Sequence, residues 1–273
     1  MSYKSILVNI DIDGPIVPVV KAALDLARRS EAKLIGICAA DVPLPMVEEE
    51  GSALVAKLWE QMRGDVEKRL KDVHSEFNRL TAGSVETEWR ADVTNPTHAI
   101  VAASRLADLV VMAASEGAST GDAYRAADPA SVVLRAGRPL LVVASKAEQV
   151  PARKVVVAWK DTREARRAVA DVVPLLASAD EVTVLTVAGQ ADQWVREGLT
   201  DVVAFLAAHG VEAKPKLIES PDEYMTLFKF IDESDADLVV SGAYGHSRLR
   251  EWVFGGVTRS LLDESGRNRF MSS

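Results

Sequence analysis

The sequence predicts an α/β protein built from two tandem units, each a parallel sheet with helices on both faces. Three observations carry that prediction. Short apolar runs alternate with amphipathic stretches along the whole chain, and the second half repeats the order of the first. The composition is aliphatic, with 48% hydrophobic but only 5% aromatic residues, as in sheets buried on both sides. A length of 273 residues suffices for one large unit or two small ones.

The repeat sets the elements. Ser5-Ile-Leu-Val-Asn-Ile and Lys154-Val-Val-Val-Ala-Trp are both apolar runs, and each opens its half as a strand. In the same register Val20, Ala23, Leu24, Leu26 and Ala27 face Val169, Val172, Val173, Leu175 and Leu176, all at helical spacing. Glu31 then matches Asp180, and Leu34 to Cys38 matches Thr183 to Val187 as a second strand. The pentapeptide Ala-Asp-Leu-Val-Val recurs at 107–111 and 236–240. The first half is longer between these points because Ser52 to Leu80 reads as a long amphipathic helix, whose counterpart is Asp192 to His209.

Strands are expected over 4–10, 33–39, 85–90, 107–113 and 139–144, then 153–159, 181–187, 212–218, 236–241 and 268–272. The boundary falls in the polar stretch from Lys146 to Arg153, which holds one proline. The expected units are therefore 1–148 and 149–273.

Charge and cysteine content narrow the function classes. Lys plus Arg number 32 against 40 acids, a net charge of −8, and no basic block appears, which disfavours nucleic acid or an anionic membrane as partner. Met1-Ser-Tyr-Lys-Ser leads straight into a strand, without a signal-peptide core. Val93 to Ser104, the longest run free of Lys, Arg, Asp and Glu, is too short to span a bilayer. The lone Cys38 ends an apolar run and reads as a buried, inert thiol. A cytoplasmic protein is expected.

The motif with chemistry lies near the end. Leu238 to Val240 reads as a buried strand that empties into Gly242-Ala-Tyr-Gly245. Nine residues later Gly255-Gly256 opens a stretch of helical spacing, Val257 to Leu262. Glycines admit close backbone approach, and a helix start presents unpaired N–H groups, so the pattern suits a phosphate cradle. In open α/β sheets ligands bind beyond the carboxyl ends of the strands, where this loop falls.

These residues and the doubled β-α-β order resemble the universal stress protein family in its tandem form. That family's loop is G-x2-G-x9-G followed by Ser or Thr; here Gly256 stands where the hydroxyl is expected. The resemblance implies Rossmann-like domains of the adenine nucleotide alpha hydrolase type, with five parallel strands in the order 3-2-1-4-5. It also implies a stress-associated regulatory protein that binds ATP, with or without Mg2+, or a related adenine nucleotide. By the resemblance, Gly242 and Gly245 would face ribose and phosphates, and Gly255, Gly256 and Val257 would donate backbone N–H groups. Thr258 would stand at the helix start, and the backbone of Val187 would meet the adenine. His246, next to Gly245, could reach a phosphate or the ribose.

The first half keeps the family's acid after its first strand, Asp11, where the second has Lys160. It has lost the glycines, with Ala113 and Glu116 in their places and Asp128 before its last helix. Nucleotide is therefore expected in the second half only, the first half's site being degenerate. The tandem form implies an intramolecular pseudo-dimer, and a homodimer stays open. No catalytic or metal-binding set is assigned, and any turnover would be slow ATP hydrolysis at most.

Two other readings remain. One is a scaffold or regulator that binds no nucleotide, motivated by Gly256 and Lys160. The other is a phosphohydrolase centred on Asp11-Ile-Asp13-Gly14, in which one acid attacks phosphorus and the other transfers protons. A simpler use of Asp11 and Asp13 is to cap the helix starting near Pro15. Likewise Lys160 to Glu164 reads as a helix start with a capping acid. His74, His98 and His209 share no ligand spacing. Arg248, Arg250 and Arg259 flank the loop, with Trp252 and Phe254 as apolar packing.

Overall fold

The computed structural model describes residues 2–43, 52–114, 122–244 and 256–273. Among the described residues ten strands form one continuous sheet. In the first half these are β1 (Ser5–Asn9), β2 (Lys33–Ala39), β3 (Thr87–Asp92), β4 (Leu109–Ala113) and β5 (Leu140–Val143). In the second they are β6 (Lys154–Ala158), β7 (Glu181–Ala188), β8 (Ala213–Glu219), β9 (Leu238–Gly242) and β10 (Asn268–Ser272). The order across the sheet is β3-β2-β1-β4-β5-β10-β9-β6-β7-β8. Each half thus has the expected 3-2-1-4-5 order, the second as 8-7-6-9-10 read from the far edge.

All pairings within a half are parallel, and the β5–β10 pairing that joins the halves is antiparallel, with Arg269 opposite Val142 and Phe270 opposite Leu141. An antiparallel join between equivalent last strands relates the halves by a pseudo-two-fold axis.

The described helices are α1 (Ile16–Ser30), α2 (Ser52–Thr81), α3 (Pro96–Ala103), α4 (Pro129–Arg135), α5 (Arg163–Leu176), α6 (Gln193–Ala208), α7 (Glu223–Glu233) and α8 (Val257–Asp263). Strand side chains alternate between two faces, so each strand feeds two cores. One core packs α1, α2, α5 and α6 over Ile6, Val8, Val155 and Val157. The other packs α3, α4, α7 and α8 over Leu7, Val110, Val156 and Val239. The cores are divided by sheet face, not by half. Further contacts cross between halves: the Tyr3 hydroxyl donates to the Asp171 carbonyl at 2.7 Å, and Ala144 N–H to Asn268 Oδ1 at 3.0 Å.

Three local expectations change. Neither Asp11 nor Asp13 caps α1, whose cap position is Pro15 with no side-chain bond. At α5 the cap is Thr162, whose hydroxyl accepts from Ala165 N–H; Asp161 instead pairs with Arg166 at 2.7 Å. A hydroxyl held by its own backbone reaches the first-turn donors directly, which leaves the acid free to pair. The stretch joining the halves is pinned: Val150 and Ala152 are fully buried, and Arg29 donates to the Val150 carbonyl. Cys38 is buried as expected, and desolvation pushes its thiol up to about 12, so it stays protonated.

Candidate functional site

In the second half β6, β9 and β10 end together. Gly242 closes β9 opposite Ser272, and Ala243 N–H donates to the Ser272 carbonyl at 2.7 Å. A Cβ on Gly242 would lie 2.6 Å from the Ala165 nitrogen and 2.8 Å from the Glu164 carbonyl carbon. This glycine is therefore required by the close approach of the first turn of α5. Tyr244 follows in the left-handed region (φ 60), uncommon for a non-glycine, and its N–H donates to Thr258 Oγ1 at 3.2 Å. Thr258 is buried and ties the start of the loop to the start of α8.

Gly256 occupies the cap position of α8 with no side-chain cap; Arg259 N–H turns back to the Gly256 carbonyl at 2.9 Å, and the N–H groups of Val257 and Thr258 have no carboxylate or hydroxyl partner among the described residues. The adjacent Ser241 hydroxyl, at the carboxyl end of β9, is buried with no partner among the described residues. Val187 is half-buried near the end of β7. Gly245, His246 and Gly255 lie outside the described residues, as do Arg248, Arg250, Trp252 and Phe254. Arg259 stands 3.8 Å from Asp263 along α8.

A contact not expected from the sequence crosses this end of the sheet. Glu223, in the first turn of α7, accepts from Lys160 Nζ at 2.9 Å and from Gly189 N–H at 3.2 Å. It bridges the loops that follow β6 and β7. The signal was the Asp222-Glu223 pair after β8: Asp222 caps α7 by accepting from Met225 N–H, and Glu223 is then free to reach across. Tyr224 Oη also lies 2.7 Å from Ser260 Oγ, joining α7 to α8.

The equivalent end of the first half is closed by its own side chains. Asp128 caps α4, its carboxylate accepting from Ala130 N–H at 3.1 Å and Ser131 N–H at 3.0 Å. Asp11 accepts from Asn9 Nδ2 at 2.8 Å and from Ala127 N–H at 3.1 Å. Asp13 makes a two-point pair with Arg125 at 2.5 and 3.0 Å. Asp41 N–H donates to the Tyr124 carbonyl at 2.7 Å. These bonds fasten residues 122–128 across the ends of β1 and β2. Ala113 ends β4 where Gly242 ends β9; Glu116 lies outside the described residues.

Electrostatics separate the two acids. Burial raises the Asp11 pKa above its ordinary value, and the bonds from Asn9 and Ala127 offset this only in part. The hydrogen bond from Arg125 lowers that of Asp13. Both carboxylates are engaged in fastening the 122–128 segment, a role other than the nucleophile and proton-transfer roles a phosphohydrolase would need. Of the histidines, His74 stacks on Trp89 with ring centroids 4.9 Å apart, His98 donates its backbone N–H to the Asn95 cap, and His209 Nδ1 lies 2.8 Å from the Phe205 carbonyl. No cluster of three metal-ligating side chains occurs among the described residues. Among those residues no helix is long and apolar enough to cross a membrane.

Neither a protein-family model nor a curated protein matches the chain. Solved structures do. A universal stress protein from Archaeoglobus fulgidus DSM 4304 superposes with a TM-score of 0.74 at 14% identity, over 98% of this chain and 96% of its own. The cytoplasmic domain of a prokaryotic cation chloride cotransporter gives a TM-score of 0.53 at 12% identity, over 98% and 94%. A universal stress protein in complex with cAMP matches at 25% identity over 53% of this chain and 99% of its own, with a TM-score of 0.38. With ten strands in the doubled 3-2-1-4-5 order and a full-length structural match, the chain has the fold of the universal stress proteins in its tandem form.

Proposed function

We propose that this chain is a cytoplasmic, stress-associated regulator that holds ATP or a related adenine nucleotide in its second half alone. Residues 149–273 form the binding unit on this reading, and residues 1–148 a unit whose equivalent site is closed. The observation that carries the reading is the contrast between two matching helix starts. At α4 Asp128 takes the N–H groups of Ala130 and Ser131, whereas at α8 Gly256 provides no side-chain cap, and no other described residue caps the first turn. Such a start favours an anion.

The residues present fit a nucleotide in that half. Gly255, Gly256 and Val257 would offer N–H groups to phosphates, and the Ser241 hydroxyl at the end of β9, without a partner among the described residues, would be a further donor. The backbone at Gly242 and Gly245, with His246, would line ribose and phosphates, the Val187 backbone would meet the adenine, and Thr258 would hold the loop. Mg2+ would enter with the nucleotide. On this reading the nucleotide acts as a bound signal.

Equilibrium binding of a labelled ATP analogue tests this. One equivalent per chain is expected, and Gly256→Asp should abolish it by placing at α8 the carboxylate that Asp128 places at α4. Equal binding by wild type and variant would overturn the assignment.

The Glu223 bridge favours a second reading, in which the site is held shut and the chain acts as a scaffold. Wild type would then bind no ATP, and Glu223→Gln, which frees Lys160, would gain binding.

A further inference from the structure

A cleft of about 510 Å3 opens between α5 and α6. None of Gly242, Gly256, Val257, Thr258 or Val187 lines it. Its floor is apolar, with Val169 and Val202 buried. Its sides are aromatic: Trp194 is 68% exposed and Phe205 38% exposed, although both are large apolar rings. Gly198 keeps the opening free of a side chain.

Trp159 supplies a polar point in the floor. It is only 7% exposed, and its Nε1 has no hydrogen-bond acceptor among the described residues. A Cβ on Gly198 would lie 3.9 Å from that nitrogen, so the N–H borders the space beneath Gly198. The ring is buried but its nitrogen is not sealed from solvent, so the N–H opens to the cleft and can donate to an acceptor placed there.

The charge around the rim is negative. Asp161 is neutralised by Arg166 at 2.7 Å. Glu197 and Asp201 stand one helical turn apart on α6 and have no cationic partner among the described residues, Glu197 accepting only from Gln193 at 2.6 Å. Like charges at this spacing repel, and a cation between them relieves the repulsion. Aromatic faces attract cations for the same electrostatic reason. The same carboxylates disfavour a nucleotide here.

We propose that this cleft binds an organic ammonium compound whose apolar body lies against Trp194 and Phe205, with its cationic head beside Glu197 and Asp201. One acceptor oxygen of the ligand takes the hydrogen bond from Trp159 Nε1. A volume near 500 Å3 suits a ligand of roughly drug-like size.

Benzoylcholine is a suitable probe, because it joins a quaternary ammonium, an ester oxygen and an aromatic ring. Titration into 15N-labelled protein should shift the indole N–H resonances of Trp159 and Trp194 and leave those of Trp59 and Trp89 in place. Trp159→Phe and Trp194→Phe assign the signals. Trp194→Ala, and separately Glu197→Gln with Asp201→Asn, should each weaken binding about tenfold or more. These side chains are exposed, and an unchanged circular dichroism spectrum would confirm that the variants fold. The uncharged isostere 3,3-dimethylbutyl benzoate should bind at least about tenfold more weakly than benzoylcholine. Equal binding of the two compounds, or no indole shift with benzoylcholine, would overturn the proposal. Neither result bears on ATP binding, which is measured separately.

Discussion

Gly242 and Gly256 belong to one loop motif, yet they are glycines for different reasons. Gly242 leaves room for the backbone of α5, and a Cβ there would meet main-chain atoms that cannot swing aside. Gly242→Ala is expected to destabilise the fold by about 1–3 kcal/mol, measured by urea unfolding. Gly64, inside α2, has nothing within 4 Å of its would-be Cβ. Gly64→Ala should therefore stabilise by about 0.5–1 kcal/mol in the same assay. Asp11 gives a pH signature. Burial raises its pKa in the folded chain above the ordinary 3.8, so the folded state holds that proton more tightly. The resulting stability is complete below the unfolded value and is lost as pH rises through the raised folded value. Asp11→Asn keeps an acceptor for Ala127 N–H without the buried charge. It should be more stable than wild type at neutral pH, with the advantage disappearing on acidification; an advantage independent of pH would contradict the assignment.

At the level of elements, α4 and α8 are equivalent helices with opposite starts. Gly256 has φ −59, which an aspartate adopts without strain, so Gly256→Asp should cap α8 as Asp128 caps α4. Stability is expected to rise by a few tenths of a kcal/mol while ATP binding disappears, a pairing that misfolding cannot mimic. Most elements were legible because the repeat placed each apolar run twice. The predicted 33–39 and 268–272 coincide with β2 and β10, and Ser52 to Leu80 falls one residue short of α2. Caps were less legible. Asp11, Asp13 and Asp161 all stand where a capping acid belongs; Asp11 and Asp13 instead find a backbone N–H and an arginine more than 100 residues away, which only the fold brings near, while Asp161 pairs locally with Arg166.

Across the whole molecule, the β5–β10 ladder makes one sheet of two repeats, and each core draws on both. Urea unfolding should accordingly be a single transition, with circular dichroism and tryptophan fluorescence coincident. Two separated transitions would show that the halves are energetically independent. Arg269 sits at the junction, fully buried, its Nη1 bonded to the Arg267 carbonyl and its Nε and Nη2 without partners among the described residues. Desolvation lowers its pKa to about 10, which still leaves it charged at neutral pH. A buried charge with no hydrogen-bonded counter-ion among the described residues, and only the longer-range pull of Glu264, is costly, so Arg269→Met should leave thermal stability unchanged or raise it by up to about 4 kcal/mol. A marked loss would mean that the guanidinium is satisfied in the folded protein.

The sequence by itself determined the alternation of strand and helix, the doubling of the unit and the candidate loop. These follow from apolar periodicity and local backbone chemistry, which act over a few residues. The glycine and Asp128 positions also distinguished the two halves before any contact was known. Tertiary structure decided what depends on residues far apart in the chain. It joined β5 to β10, brought Glu223 to Lys160 and turned Asp11 toward Ala127. It also opened the α5–α6 cleft, where Trp159, Trp194 and Asp201 meet although no motif links them. Such meetings arise when two layers of helices settle on one twisted sheet, and no local pattern encodes them.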